Sequence, residues 1–235
     1  MRTRTGDFVP NYVLMEYKEI KSRHYIQDLI EEGEHENQDF KFEISDAMKI
    51  ARTISAFANH SGGRLLIGVK DNGKISGIKS EEEIYMIDQA ASMYCRPPQA
   101  VKCQVYRVEG KSVLKVDIAA TDSRPVKAPD NDKKWKAYYR VKDENILASP
   151  LHVKAWLHER SNIEGTLLAL TEKEKKLLEL LDDKGAITID EYKKHAHISE
   201  RIAEDAVIRM NCMGIIAFSY DVGNNNKLLI SSKTQ

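Results

Sequence analysis

IARTISAFANHSGGRLLIGVKDNGKISGI, residues 50–78, is the stretch whose reading decides the fold. Ile50, Ile54 and Phe57 recur at helical spacing and predict one buried helix face. Asn59-His60-Ser61-Gly62-Gly63 then breaks the helix, with glycine supplying the positive φ that a C-terminal cap needs. Leu65-Leu66-Ile67-Gly68-Val69 is nearly all apolar, the pattern of a central strand covered on both faces. Asp71-Asn72-Gly73 is a hairpin signal, with 75–78 as the return strand.

Outside this stretch, composition sets bounds. At 235 residues the chain can bury one large core or two modest ones. A formal net charge of +0 excludes a uniformly basic nucleic-acid binder, while a local basic patch stays open. Three widely spaced cysteines, Cys95, Cys103 and Cys212, give neither a disulfide framework nor a CxxC metal site and fit a reducing compartment. No apolar run approaches the roughly 18 residues of a membrane span. MRTRTGDFVP at 1–10 lacks the apolar core of a signal peptide, so the expected location is the cytoplasm.

Taken in order, the chain predicts a short amphipathic helix at 14–21 and a second helix at 25–32. A strand follows at 39–42, with Phe40 and Phe42 both inward, and Ser45 caps the helix of the organising stretch. Ser80 and Glu83 form a capping box for a helix reaching 94. Strands are predicted at 100–108, 112–119 and 135–141, with a polar loop at 121–134 and a helix from Ser149-Pro150 to 160. A second unit opens with the capping box Thr171–Glu174, then a very short strand at 186–188, a short helix to His195 and a longer helix at 199–213. Two strands at 215–220 and 227–230 flank a turn rich in residues that tolerate positive φ. That order is the order of a winged helix, so the expected domains are 1–165 and 166–235.

Three motifs carry a resemblance to a known family. They are ISAFANHSGGRLLIGVKDNGKISGI at 54–78, GEHENQDFK at 33–41, and SRPVKAP at 123–129 followed by AYYRVKDENILAS at 137–149. Together they resemble the Schlafen AlbA_2 family, also labelled a divergent AAA-type domain. The resemblance implies an α+β fold with an AlbA_2-like mixed sheet, here followed by a small winged-helix domain. It also implies nucleic-acid binding and, in some members, metal-dependent cleavage of structured RNA.

Carried over by position, the family's three metal-holding carboxylates are Glu34, Asp39 and Asp71. Hard oxygen ligands of that kind suit Mg²⁺ or Mn²⁺, and Lys41 would neutralise the phosphate. Position 39 departs from the family's usual Glu, and Asp71 is equally at home as the first residue of an Asp-Asn-Gly turn. The chain has no G-x-x-x-x-G-K-[ST] motif, and a helix C-terminus points at Gly62-Gly63. ATP is therefore not an expected cofactor, and the Gly pair reads as a turn and packing device.

The segment 127–140 is the expected nucleic-acid patch, with Lys127, Lys133, Lys134, Lys136 and Arg140 interleaved with Trp135, Tyr138 and Tyr139. Strand alternation splits it into two faces, and the Lys136–Tyr138–Arg140 face is taken as the outward one. In the helix at 199–213, Ile202, Ala206, Val207 and Met210 form the apolar stripe. Its other side carries Glu200, Arg201, Glu204, Asp205 and Arg209, a poor surface for phosphate. The leading reading is a cytoplasmic, bacterial-type nucleic-acid-binding protein, a DNA-binding transcriptional regulator or a defence or stress factor. The alternatives are a metal-dependent nuclease and a protein-recruiting adaptor. Schlafen cores pair two lobes around a basic cleft, so a single lobe implies a homodimer.

Overall fold

The computed structural model describes residues 13–20, 23–161 and 170–233. The expected boundary at 165–166 and the N-terminal decapeptide lie outside the described residues. The chain forms two compact units, Met1–Asp122 with Val126–Asn145, and Ser123–Pro125 with Ile146–Gln235.

The elements of the first unit run β1 (Val13–Ile20), α1 (Arg23–Glu32), β2 (Gln38–Lys41), α2 (Ala47–Asn59), β3 (Gly63–Ile67), α3 (Glu82–Ser92), β4 (Val101–Val108), β5 (Lys111–Ile118), β6 (Lys127–Pro129), β7 (Trp135–Val141) and β8 (Glu144–Leu147). Five strands form a mixed sheet in the order β1-β4-β5-β3-β2, with β1–β4 and β2–β3 parallel. Strands β6, β7 and β8 make a second sheet. The fold is α+β.

Strand β3 behaves as its sequence demands. Leu65 and Ile67 join a core with Ile54 and Phe57 of α2, while Leu66 joins Ile26 and Leu29 of α1 on the other face. Ile54 and Phe57 are fully buried, which stabilises the fold by about 1.5–3 kcal/mol each. The helix is capped by Asp46 rather than Ser45, because the Asp46 carboxylate accepts from the Met48 and Lys49 amides. In place of the helix expected at 14–21, strand β1 runs Val13–Ile20, since parallel pairing with β4 overrides local periodicity.

The expected return strand at 75–78 does not form. Instead Ser76 and Gly77 donate to the Gly68 carbonyl at 2.8 and 3.0 Å, and only an isolated bridge joins Val69 to Ile75. Two chain segments cross here in van der Waals contact. Gly68 sits at φ +90°, and a Cβ there would lie 2.7 Å from the Gly77 carbonyl carbon, so only glycine fits. The crossing turns 70–74 and Lys79 back toward the end of β2. Phe42 lies just past that strand's last residue and is 42% exposed, whereas Phe40 is buried as expected.

The second unit contains α4 (Pro150–Ser161), α5 (Glu172–Lys184), β9 (Ala186–Ile187), α6 (Ile189–Ala196), α7 (Glu200–Cys212), β10 (Ile216–Asp221) and β11 (Lys227–Ser232). Helix α4, expected before the domain boundary, packs on α7 and lies in this unit. The Thr171–Glu174 capping box forms, and Thr188 with Glu191 makes a second one at α6. The sheet order is β10-β11-β9. On α7 the buried stripe is Ala203, Ala206, Val207, Ile208 and Met210, while Ile202 is 37% exposed.

Candidate nucleic-acid interface

Helix α2 holds the β6–β7 hairpin by its main chain. Asn59 is fully buried, and its Nδ2 donates to the carbonyls of Val126 and Tyr138, each at 2.8 Å. Its Oδ1 accepts from the Val126 amide at 2.7 Å. One turn earlier, Ser55 Oγ donates to the Val126 carbonyl at 2.8 Å and accepts from the Tyr138 amide at 3.2 Å. The i,i+4 spacing places both side chains on one helix face. Neither residue was singled out as a clamp in the sequence, although both belong to the ISAFAN motif.

This clamp fixes which face of the hairpin turns inward. Val126, Ala128 and Tyr138 enter the core beneath α2, and Arg140 is 1% exposed. The sequence reading had that face backwards. Tyr138 and Arg140 are interior residues, and of that set only Lys136 is exposed, at the hairpin's outer end.

The outward face carries the other alternation. Lys127 pairs with Ala137 across the hairpin, and Arg96 bridges Lys127 from a neighbouring segment, so these residues lie in one row. The Arg96 guanidinium stands 3.8 Å over the Trp135 ring. Tyr139 meets His60 edge-on, with ring centroids 4.9 Å apart. Burial pushes the His60 pKa below the ordinary histidine value, so this ring is neutral at pH 7. Lys133 and Lys134 are exposed at the hairpin tip, where Asp130 Oδ1 accepts from the amides of Asp132 and Lys134. Cations and partly buried aromatic rings therefore share one surface.

Of the four residues tied to cleavage chemistry, three come together and one does not. Asp39 is 3% exposed, with Lys41 Nζ 2.7 Å from one carboxylate oxygen and Arg140 3.5 Å from the other. Glu34 lies beside Asp39, and its carboxylate accepts from the Phe40 amide at 2.9 Å. Burial first, then the neighbouring Asp39 carboxyl, holds the Glu34 carboxyl above its ordinary value. Asp71 is an exposed turn residue. Among the described residues no group of three or more His, Cys, Asp or Glu is placed to hold a metal ion. With both Asp39 oxygens facing cations and Glu34 turned to Asp39, the residues present do not fit a divalent ion.

The raised Glu34 pKa has a measurable sign. As pH falls from neutral through that pKa toward the ordinary glutamate value, the folded state takes up the proton first and gains stability. Glu34→Gln is expected to remove this part of the pH profile. Thermal melts of both proteins between about pH 4 and 7 test it, and parallel curves would refute it.

The Gly62-Gly63 turn is a packing device. Gly62 adopts φ +77°, and a Cβ there would lie 2.8 Å from the Ile118 carbonyl oxygen. The C-terminal end of α2 meets this turn.

No curated protein matches the chain. Among solved structures it is similar to the DIP2311 protein from Corynebacterium diphtheriae, with 19% identity and a TM-score of 0.43. That alignment covers 84% of this chain and 34% of the other, so the chain spans about a third of that protein. It is also similar to the N-terminal domain of a RecG-related protein from Nitrosomonas europaea, at 18% identity and a TM-score of 0.39, covering 65% of this chain and 97% of that one. Among the described residues no helix is long and apolar enough to cross a membrane. Residues 34–149, which contain α2, the clamp, the carboxylate pair and the whole β6–β7 hairpin, match the family model of Schlafen, AlbA_2.

Proposed function

We propose that the chain binds nucleic acid on the outward face of the β6–β7 hairpin. The observation that carries this reading is the Arg96–Trp135 stack, set beside Lys127 and Tyr139 on the hairpin face opposite Tyr138 and Arg140. Unpaired bases stack on the aromatic rings, and Arg96, Lys127, Lys133 and Lys134 take the phosphates. Ring-based contacts of this kind favour single strands over the closed stack of a duplex. The family match supports the ligand class. It does not carry the nuclease reading, because the carboxylates do not assemble as a metal site.

The second unit is read as a winged helix on its element order and its three-stranded sheet. Glu200, Glu204 and Asp205 on α7 disfavour phosphate, so this unit contacts protein, in the simplest case a second copy of the chain. A regulator of transcription or a stress factor fits that division of labour, and a monomeric mass by light scattering would count against the dimer.

Trp135 reports its own binding. The other tryptophan, Trp156, is 3% exposed, so quenching by an oligonucleotide reads position 135. Titration is expected to show quenching and a salt-dependent affinity, and Trp135→Ala is expected to weaken binding about 10-fold. Absence of salt-dependent binding to single-stranded DNA, RNA and duplex DNA alike would overturn the proposal.

A further inference from the structure

We infer that Phe42, Lys70 and Lys79 form a second single-strand contact, in which a base stacks on the Phe42 ring and the two lysines hold its phosphates. This rests on the nucleic-acid reading above and extends it to a different part of the first unit. Lys70 Nζ is 5.1 Å from the Phe42 ring centroid and Lys79 Nζ is 5.6 Å from it. The ring itself is 42% exposed. Phe42 leaves β2 where the strand ends, and the Gly68–Gly77 crossing returns both lysines to it. Positions far apart in sequence are thereby gathered around one solvent-facing aromatic ring.

The local charge matches a polyanion. With Lys41 held by Asp39, residues 42–43, 70–74 and 79 contain three lysines, Lys70, Lys74 and Lys79, against Glu43 and Asp71. Lys79 pairs with Glu43, but its side chain is 67% exposed. A solvated pair of this kind exchanges its carboxylate for a phosphate readily. Phenylalanine offers a base a face without demanding a hydrogen bond, and the contact is indifferent to base identity. A neutral apolar partner would leave the two ammonium groups without use, and an acidic peptide would leave the ring without a stacking partner.

The test places an indole at the site. Phe42→Trp is made in a Trp135→Phe background, so that the new fluorophore reports position 42 while Trp156 stays buried. The probe is oligothymidylate of about 12 nucleotides, within the usual span of a single-strand site. Quenching at position 42 is expected on saturation. Phe42→Ala in the otherwise unchanged chain is expected to lower affinity about 10-fold. Lys70→Ala with Lys79→Ala is expected to reduce the salt slope by about 1.4, from about 0.7 for each lost cation. If Trp135 is quenched in the parent protein while position 42 stays silent and Phe42→Ala binds normally, the second contact is refuted and the hairpin reading stands. If neither position responds and no binding is seen, both fail.

Discussion

Replacing Arg140 with methionine is expected to destabilise the first unit by about 3–5 kcal/mol, the range for breaking one side of a buried charge pair. The guanidinium is 1% exposed and lies 4.9 Å from the Phe57 ring centroid. It donates to Asn145 Oδ1 at 3.0 Å and to the carbonyls of His35 and Gln38, each at 3.2 Å. It also faces Asp39, which is itself buried. Methionine fills much of the volume but leaves the two carbonyls without this donor, and Asp39 with Lys41 as its remaining cation. Urea denaturation measures the loss. Because much of the penalty is the stranded carboxylate, Arg140→Met with Asp39→Asn is expected to cost less than the sum of the single changes. A loss under about 1 kcal/mol for Arg140→Met would show that the site is wetter than its geometry implies.

Asn59→Ala is the second large effect, expected at about 3–4 kcal/mol. Three buried bonds to the hairpin end on this one side chain, from the Val126 amide and to the carbonyls of Val126 and Tyr138. Alanine leaves the Val126 N–H with no partner, and an orphaned buried amide costs more than a bond is worth on average. The loss is also expected to be local in its signature. Hydrogen exchange at the Val126 amide should accelerate far more than exchange in β4 or β5, whose ladders do not involve Asn59. Uniform acceleration across the unit would show that the hairpin and the main sheet unfold together.

Both residues mark where sequence reasoning reached its limit. The helix, the turn and strand β3 were legible because their signals are local: apolar spacing, a Gly pair and a run of Leu and Ile. The strand at 135–141 was equally legible, and its two faces were sorted correctly by alternation. What alternation does not give is the sign. Trp135 and Tyr139 are as apolar as Tyr138, and the choice between them is made by Ser55 and Asn59, whose partners lie 67 to 83 positions away. Arg140 is inside because Asp39 and the carbonyls near it are there to receive it. Phe42 failed for a different reason, since its parity with Phe40 holds only while the strand continues, and β2 stops at Lys41. Asp71 stayed in the turn that its own sequence, Asp-Asn-Gly, already described.

The hydrogen bonds from Ser55 and Asn59 to the hairpin reach only its peptide groups. Every bond that Ser55 and Asn59 make to the hairpin ends on an amide or a carbonyl of Val126 or Tyr138, and none reads a side chain of the hairpin. Attachment and recognition are thus written in separate alphabets. The residues that face outward at 127, 135 and 139 can be exchanged wholesale, by drift or in a laboratory library, while the hairpin stays seated. A scaffold with that property is free to change its ligand without first relearning how to fold.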